Sequence, residues 1–313
     1  RKLLVGLGVE SDLLFLGFWA VLVGYTMYGG LPAVIATDLL QISLILAVFL
    51  GLFGYLVWIG VLNWATVSAL SSPASMPDGG FSYWFSYLGI PVLFSFAEQD
   101  LAQRFFAARS SAIATAASWA SAGGLLLFAA IPALIGVQAR LSGLVVGEGQ
   151  SPLLMLVAQH IGPVGQALVM CALVAAIAST ADSLLCAVSS NIVQDFVPQS
   201  RGSAFRVRCA EIATLVVGAA GIIGSYCATN ILGVMTQSYE LLVSGVLIPV
   251  LVCIVGGRLS RIAALCSVMT GFCVYSFIWS GVVTVALPGS FVALVASAAA
   301  YVVGLLISLM LND

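Results

Sequence analysis

The sequence has 313 residues, of which 62% are hydrophobic and 7% charged, and its mean hydropathy is +1.17. Because an ordinary soluble domain is roughly 25% charged, this composition excludes one and indicates an integral membrane protein. The net charge of −2 excludes a basic surface for nucleic acid.

Apolar runs long enough to cross a membrane recur along the whole chain. They lack the period-2 alternation of an outer-membrane barrel, so we predict an all-α membrane protein. The connections are short, which predicts a single transmembrane domain over 1–313. Nine spans are predicted, at about 11–28, 38–63, 82–107, 112–137, 164–194, 207–227, 231–255, 262–286 and 290–311.

The arginines predict the orientation of these spans. If the third span runs from outside to inside, seven loop arginines are cytoplasmic and only Arg140 is outside. The C-terminus at Asp313 is then cytoplasmic. The seven are Arg104, Arg109, Arg201, Arg206, Arg208, Arg258 and Arg261.

Two of the predicted spans contain helix-breaking residues. The third contains the run GIP, from Gly89 to Pro91, and the seventh contains Gly245 and Pro249. Proline removes a backbone donor and glycine weakens a helix, so each position predicts a kink or an unwound segment. Transporters build substrate sites from such broken helices.

The fifth span contains a run of small and hydroxyl side chains. Helical spacing puts five of them on one narrow face: Ala176, Ser179, Thr180, Ser183 and Ala187. Such a face permits close helix packing, and this remains one interpretation. The other is a functional site, because Asp182 lies in the same run and a carboxylate in mid-membrane costs about 2.5–3.5 kcal/mol.

Asp38 is a second carboxylate within an apolar stretch. It follows the Gly29-Gly30 turn, about 12 Å into the next span by helical rise, and can approach the fifth span. Hydroxyl, carboxylate and backbone oxygens suit a hard cation such as Na⁺ and suit zinc or copper badly. A proton carried by either carboxylate is the alternative.

Three segments resemble the signatures of the sodium:solute symporter family. YTMYGGLPAVIATDLLQ (25–41) is similar to its Y-T-x-x-G-G-L-x-A-V-x-x-T-D-x-x-Q pattern. FAEQDLAQRFFAARS (96–110) resembles its Q-x-x-x-Q-R-x-x-A-A-K/R-S segment, and AIASTADSLLCAVSSNIVQD (176–195) resembles its S-T/S-x-x-S…D signature. All three occur in the family's order and at appropriate spacing.

The resemblance implies a LeuT-type bundle of two inverted five-helix repeats with flanking helices. Residues 1–63 would then end the first repeat, 82–255 form the second, and 262–313 form two C-terminal helices. The nine spans would correspond to the family's fifth through thirteenth helices, so about four N-terminal helices are expected from the same protein or a partner chain. The opening Arg1-Lys2, which has no methionine, agrees with a cut.

The resemblance also implies the ion site. Ala176, through its carbonyl, with Ser179 and Thr180, matches the half of the sodium site that the second repeat supplies. Asp38 matches an aspartate of a second sodium site or exit path. Some two-sodium members have a hydroxyl at the position of Ala176, which leaves the second ion open, with Asp182 or Ser183 as substitutes.

The solute is expected near the membrane midplane, between the third span and the absent first core helix. The candidates on the third span are Pro91, Phe94, Ser95, Glu98 and Gln99. Those on the seventh are Thr236, Gln237 and Glu240. None of these residues discriminates proline, sugar, pantothenate, choline or another small solute.

These observations predict a secondary active transporter of the inner or plasma membrane that couples Na⁺ influx to uptake of a small organic solute. The alternative is a membrane sensory domain of the same fold attached to a signalling module. An enzyme is not expected, because no nucleophile and base are paired in the sequence. Ion stoichiometry and oligomeric state are left open.

Overall fold

A computed structural model of the chain describes residues 11–70, 80–144, 151–227, 231–257 and 260–311. These residues are almost entirely helical, and they contain no strand. Some residues used in the sequence analysis lie outside the described ranges: residues 1–10, Arg258 and Asp313. The predicted orientation and the predicted cut depend in part on them. The predicted all-α class is confirmed.

The described helices follow one another with short connections. In chain order they are α1 (Asp12–Trp58), α2 (Trp64–Leu70), α3 (Phe81–Trp84), α4 (Ile90–Ser95), α5 (Gln99–Ala107), α6 (Ser111–Leu141), α7 (Pro152–Phe196), α8 (Ser203–Cys227), α9 (Ile231–Gly245), α10 (Leu247–Val255), α11 (Arg261–Trp279) and α12 (Gly289–Leu311). A π-helical turn, Phe85–Gly89, joins α3 to α4, and a 3₁₀ turn, Gln199–Arg201, precedes α8.

Six of these helices are long and apolar enough to cross a membrane, and the pair α9 and α10 is a seventh candidate if it forms one span. These helices agree with the predicted helical, multi-pass membrane protein. The predicted number of nine spans and the LeuT-type arrangement remain predictions.

Glycines interrupt the two longest helices. Gly30 in α1 has φ 55° and ψ −154°, and Gly162 in α7 has φ 78° and ψ −168°. Side chains other than glycine rarely adopt these angles, and each glycine is followed within two residues by a proline. Each long helix is thus two helical segments, so α1 has one segment on each side of its break and residues 152–161 form a separate segment before the main part of α7.

The predicted interruption of the third span lies later than expected. Gly89 and Ile90 keep right-handed helical angles, so the chain is not unwound at Gly89–Pro91. The helical path continues through Pro91, which follows directly on the π-helical turn Phe85–Gly89. The helical path ends at Ser95 and resumes at Gln99, so the break falls between them.

The predicted interruption of the seventh span is present. Helices α9 and α10 meet at Val246 and are bent by 54°. A Cβ atom added to Gly245 would lie 2.4 Å from the ring of Phe272, so the glycine also permits close contact with α11. Pro249 lies in the first turn of α10, which a proline tolerates.

The described residues form two compact units. The first contains residues 11–70 and 102–227, and the second contains 80–101 and 231–311. In the first unit, Leu22 and Val23 of α1 pack against Ala178 and Leu185 of α7. This apolar contact holds α1 beside α7, and the polar residues Tyr25 and Asp182 of the same two helices also meet.

The second unit has its own core. Ile90 of α4 and Ala97 pack with Val243 of α9 and Leu247 of α10. Helices α11 and α12 approach closely at Gly304, where an added Cβ atom would lie 2.7 Å from the Cα of Ala263. Each unit therefore has its own apolar core beside the residues predicted to bind the ion or the solute.

Candidate functional site

Asp182 is at the centre of a polar cluster in the first unit. It lies on α7, about four turns before the helix ends at Phe196, and it is 0% exposed. The hydroxyl of Tyr25 donates to Asp182 Oδ2 at 2.5 Å, and the hydroxyl of Thr37 lies 3.4 Å from the same oxygen. The buried carboxylate thus accepts a hydrogen bond from Tyr25, and the hydroxyl of Thr37, also on α1, lies close to it.

The break at Gly30 explains how α1 reaches Asp182 from two places. Tyr25 precedes the break and Thr37 follows it, so the two belong to different helical segments. The single hydroxyl proton of Thr37 is shared between the carbonyls of Ala33 and Val34, at 3.0 and 2.9 Å, which orients its side chain within its own helix. The glycine therefore allows both segments to contact one carboxylate.

Asp38 and Arg104 form an ion pair beside Asp182. Arg104 Nη2 lies 2.8 Å from Asp38 Oδ2 and 2.5 Å from Ser183 Oγ. Ser183 is the neighbour of Asp182, and its hydroxyl also donates to the carbonyl of Ser179 at 2.7 Å. The guanidinium thus joins α5 to both α1 and α7.

Gln103 attaches α5 to the same helix through an uncharged contact. Its side-chain nitrogen donates to Ser190 Oγ at 3.1 Å and lies 4.0 Å from Cys186 Sγ. Gln103 and Arg104 are consecutive, so two adjacent side chains hold the short helix α5 on α7.

The cluster contains two carboxylates, Asp38 and Asp182, and one guanidinium, that of Arg104. Asp38 Oδ1 is buried and has no hydrogen-bond partner within the described ranges. Asp38 is paired with the guanidinium and Asp182 accepts a hydroxyl bond, so the positive charge of the cluster is held by Asp38.

A groove lies beside the cluster. Its volume is about 490 Å³, and α1 and α7 line it with mostly apolar side chains. Gln41 is the polar exception, and its Oε1 is buried without a partner in the described part of the chain. Gln41 is one helical turn after Asp38, so the groove begins next to the ion pair.

Ser179 and Thr180 bond within their own helix. Their hydroxyls donate to the carbonyl of Ala176 at 2.9 and 3.2 Å. Ser179 is half-buried and Thr180 is exposed. This is the contact that a packing role of small hydroxyl residues produces, and it also gathers three oxygens at one turn.

The six predicted ion ligands therefore fall into two groups. Ala176, Ser179 and Thr180 share one turn, whereas Asp38 and Ser183 converge on Arg104, next to Asp182. Asp182 is two residues after Thr180, which places it about 160° away around the helix axis. The hydroxyl of Ser183 links the two groups, because it donates to the carbonyl of Ser179 at 2.7 Å.

The predicted solute residues all belong to the second unit. The rings of Phe94 on α4 and Tyr239 on α9 stack with their centroids 4.1 Å apart. Pro91, Gln99 and Gln237 are exposed, and Glu98 and Thr236 are half-buried. Helices α4 and α9 are therefore neighbours.

Ser95 and Glu240 have hydrogen bonds to other groups of the protein. Ser95, although exposed, donates to the carbonyl of Val92 at 2.7 Å. Glu240 accepts hydrogen bonds from Tyr275 of α11 at 2.8 Å and from Ser290 of α12 at 3.4 Å. Its carboxylate thus links three helices.

Sequence reasoning missed four members of the cluster: Tyr25, Thr37, Gln103 and Arg104. The sequence places Arg104 among the cytoplasmic charges and, four residues after Asp100, in a helix-end pair, and not in the ion site. The signal was nevertheless present, because all four lie inside the quoted segments 25–41 and 96–110 and are polar residues next to apolar spans. The sequence does not show which residue of one segment contacts which residue of another.

No model of a known protein family matches this sequence, and no curated protein matches it.

Proposed function

We propose that the protein is a secondary active transporter that couples the inward movement of Na⁺ to the uptake of a small organic solute by alternating access. The observation that carries this proposal is the cluster of Asp38, Asp182 and Arg104 among long apolar helices. Ionisable residues inside a membrane are costly, and they mark ion pathways far more often than packing contacts.

The charges and donors of the cluster support a small monovalent cation. Asp38 already holds one positive charge, that of Arg104, at 2.8 Å, so its carboxylate suits a monovalent cation in the same place. The available ligands are carboxylate, hydroxyl and carbonyl oxygens, which suit hard cations. Among the described residues, no group of three or more His, Cys, Asp or Glu side chains is arranged as a metal site, so a softer metal has less support than Na⁺.

The solute part of the proposal has a different basis. It rests on the resemblance of three segments to the sodium:solute symporter family and on the broken helices in the second unit. The 54° bend between α9 and α10 and the break between Ser95 and Gln99 are features that substrate-binding helices of transporters share. We place the protein in the inner or plasma membrane, with a LeuT-type bundle and a cytoplasmic C-terminus.

Transport in membrane vesicles tests the proposal. The protein is expressed from its complete reading frame, and vesicles are loaded so that Na⁺, K⁺ or a pH gradient is the only inward driving force. Uptake of labelled proline, sugars, pantothenate and choline is then measured. We expect one solute class to accumulate with the Na⁺ gradient and not with K⁺.

Binding of ²²Na⁺ to the purified protein gives a test that needs no solute. We expect saturable binding that excess unlabelled Na⁺ displaces and choline does not. Absence of this binding, together with uptake driven only by the pH gradient, would make the proton the coupling ion and the Na⁺ proposal wrong.

A further inference from the structure

The guanidinium of Arg104 lies where two of the predicted ion ligands converge. The same nitrogen, Nη2, is 2.8 Å from Asp38 Oδ2 and 2.5 Å from Ser183 Oγ. We propose that Arg104 is a tethered cation that occupies the place of the coupling ion between Asp38 and Ser183, so that the ion binds there only after Arg104 leaves. The identity of the ion as Na⁺ rests on the proposed function, whereas the position of the guanidinium does not.

The geometry of the contact favours replacement by an ion. A single donor nitrogen is shared by a carboxylate on α1 and a hydroxyl on α7, so the positive charge is held at one point by oxygens from two helices. A small cation would use the same oxygens. Arg104 and a second cation cannot both approach Asp38 Oδ2 closely, because like charges repel strongly in a partly buried setting.

Arg104 is also placed so that it can leave. Its side chain is 37% exposed, more than the 22% of Asp38. It belongs to α5, a helix of nine residues with non-helical residues on each side. The guanidinium can therefore move away without the unwinding of a long helix, while the uncharged bond from Gln103 to Ser190 still holds α5 to α7.

The tethered charge has a role when no ion is bound. Asp38 then keeps a positive partner, and a buried carboxylate left unpaired would destabilise the fold. The same pairing weakens the binding of external cations, because an apparent affinity falls in proportion to the fraction of sites that are free. Arg104 thus sets the ion concentration at which the site fills.

Sodium titration of the purified full-length protein tests this inference. Na⁺ is titrated against choline at constant ionic strength, and ion-dependent thermal stabilisation reports occupancy. We expect Arg104→Gln to reach half-saturation at roughly one tenth of the wild-type Na⁺ concentration, because the competitor is removed. Arg206→Gln is the matched control, since Arg206 bonds to Gln194 and lies outside the cluster, and it should titrate like the wild type.

Free guanidinium provides a second test. In Arg104→Ala, low millimolar guanidinium chloride should refill the site and shift the Na⁺ titration competitively to higher Na⁺. The same concentration should leave the wild-type titration unchanged. The competition should vanish in the double variant Arg104→Ala with Asp38→Asn, which lacks the carboxylate.

The outcomes separate this inference from the proposed function. A folded Arg104→Gln protein with the wild-type half-saturation, or a higher one, overturns the inference, as does an Arg104→Ala protein that is insensitive to guanidinium. If Arg104→Gln does not fold, Arg104→Ala is purified with guanidinium, and failure of guanidinium to restore folding overturns it. If Na⁺ binds to no form but guanidinium binds Arg104→Ala in an Asp38-dependent way, the tethered-cation inference stands and Na⁺ coupling is wrong.

Discussion

Each unit of the molecule holds a carboxylate among apolar helices, but the partners differ. In the first unit, Asp38 pairs with the guanidinium of Arg104, and Asp182 accepts a hydroxyl bond from Tyr25. In the second unit, the described partners of Glu240 are the hydroxyls of Tyr275 and Ser290. Hydroxyl donors tie helices together, whereas a carboxylate paired with a movable charge is suited to exchanging one cation for another.

The comparison therefore separates an exchangeable site from a structural link. In both regions a carboxylate accepts hydrogen bonds from side chains, and composition alone does not distinguish the two regions. The difference is the charge of the partner. The first unit should respond to cations, and the second should respond to changes in packing.

The largest expected effect is that of Asp38→Asn. This change keeps the shape of the side chain and removes the charge that would hold the ion. We expect the half-saturating Na⁺ concentration to rise roughly 10-fold to 150-fold, because a charge-assisted contact contributes roughly 1.5–3 kcal/mol. The measurement is ²²Na⁺ binding, and a wild-type curve would mean that Asp38 has a packing role only.

The next test changes a matched tyrosine in each unit. Tyr25→Phe and Tyr275→Phe each remove one hydroxyl donor from a carboxylate, so each should lower the free energy of unfolding by about 1–3 kcal/mol. Denaturant unfolding in detergent measures this loss. Only Tyr25→Phe should also change the Na⁺ titration, and an equal change in Tyr275→Phe would remove the distinction between the units.

Smaller changes are expected from the hydroxyls of Ser179 and Thr180. Ser179→Ala or Thr180→Ala should raise the half-saturating Na⁺ concentration roughly threefold to tenfold, because one hydroxyl bond contributes about 0.5–1.5 kcal/mol. The control is Ser225→Ala, whose hydroxyl also bonds to its own helix, at the carbonyl of Ile222. Wild-type Na⁺ dependence in both variants would leave close packing as the explanation.

The smallest expected effect concerns the aromatic pair of the second unit. Phe94→Leu removes the stacking on Tyr239, and aromatic pairs contribute about 0.5–1.5 kcal/mol beyond their buried area. We expect the half-saturating solute concentration to rise a few-fold with the Na⁺ titration unchanged. Phe81→Leu, which disrupts an aromatic contact with Phe85 in the same unit, is the control, and an equal rise there would exclude a specific role for Phe94.

The local features of the fold were predictable where one residue dictates the backbone. The bend between α9 and α10 was predicted from Gly245 and Pro249. The interruption near Pro91 was placed too early, because the helical path runs through Pro91, after the π-helical turn Phe85–Gly89, and ends only at Ser95. A sequence shows the proline but not which turn of the helix will contain it.

The site was predictable in its residues and not in its contacts. Asp38, Asp182 and Ser183 stood out because polar groups are rare in apolar spans. Their partners did not, because Arg104 is 66 residues from Asp38 and Tyr25 is 157 residues from Asp182. Pairing across such separations depends on how helices pack, which a helical period does not encode.

By itself, the sequence determined that this is a helical membrane protein and where its few polar residues lie, because backbone groups in hydrocarbon must be satisfied within helices and each buried charge is costly. Only the tertiary structure decided which charges meet. The break at Gly30 lets both segments of α1 contact Asp182, and the short helix α5 carries Arg104 to Asp38. These contacts follow from helix packing, which creates a partner for a carboxylate by placing a distant side chain within hydrogen-bond range.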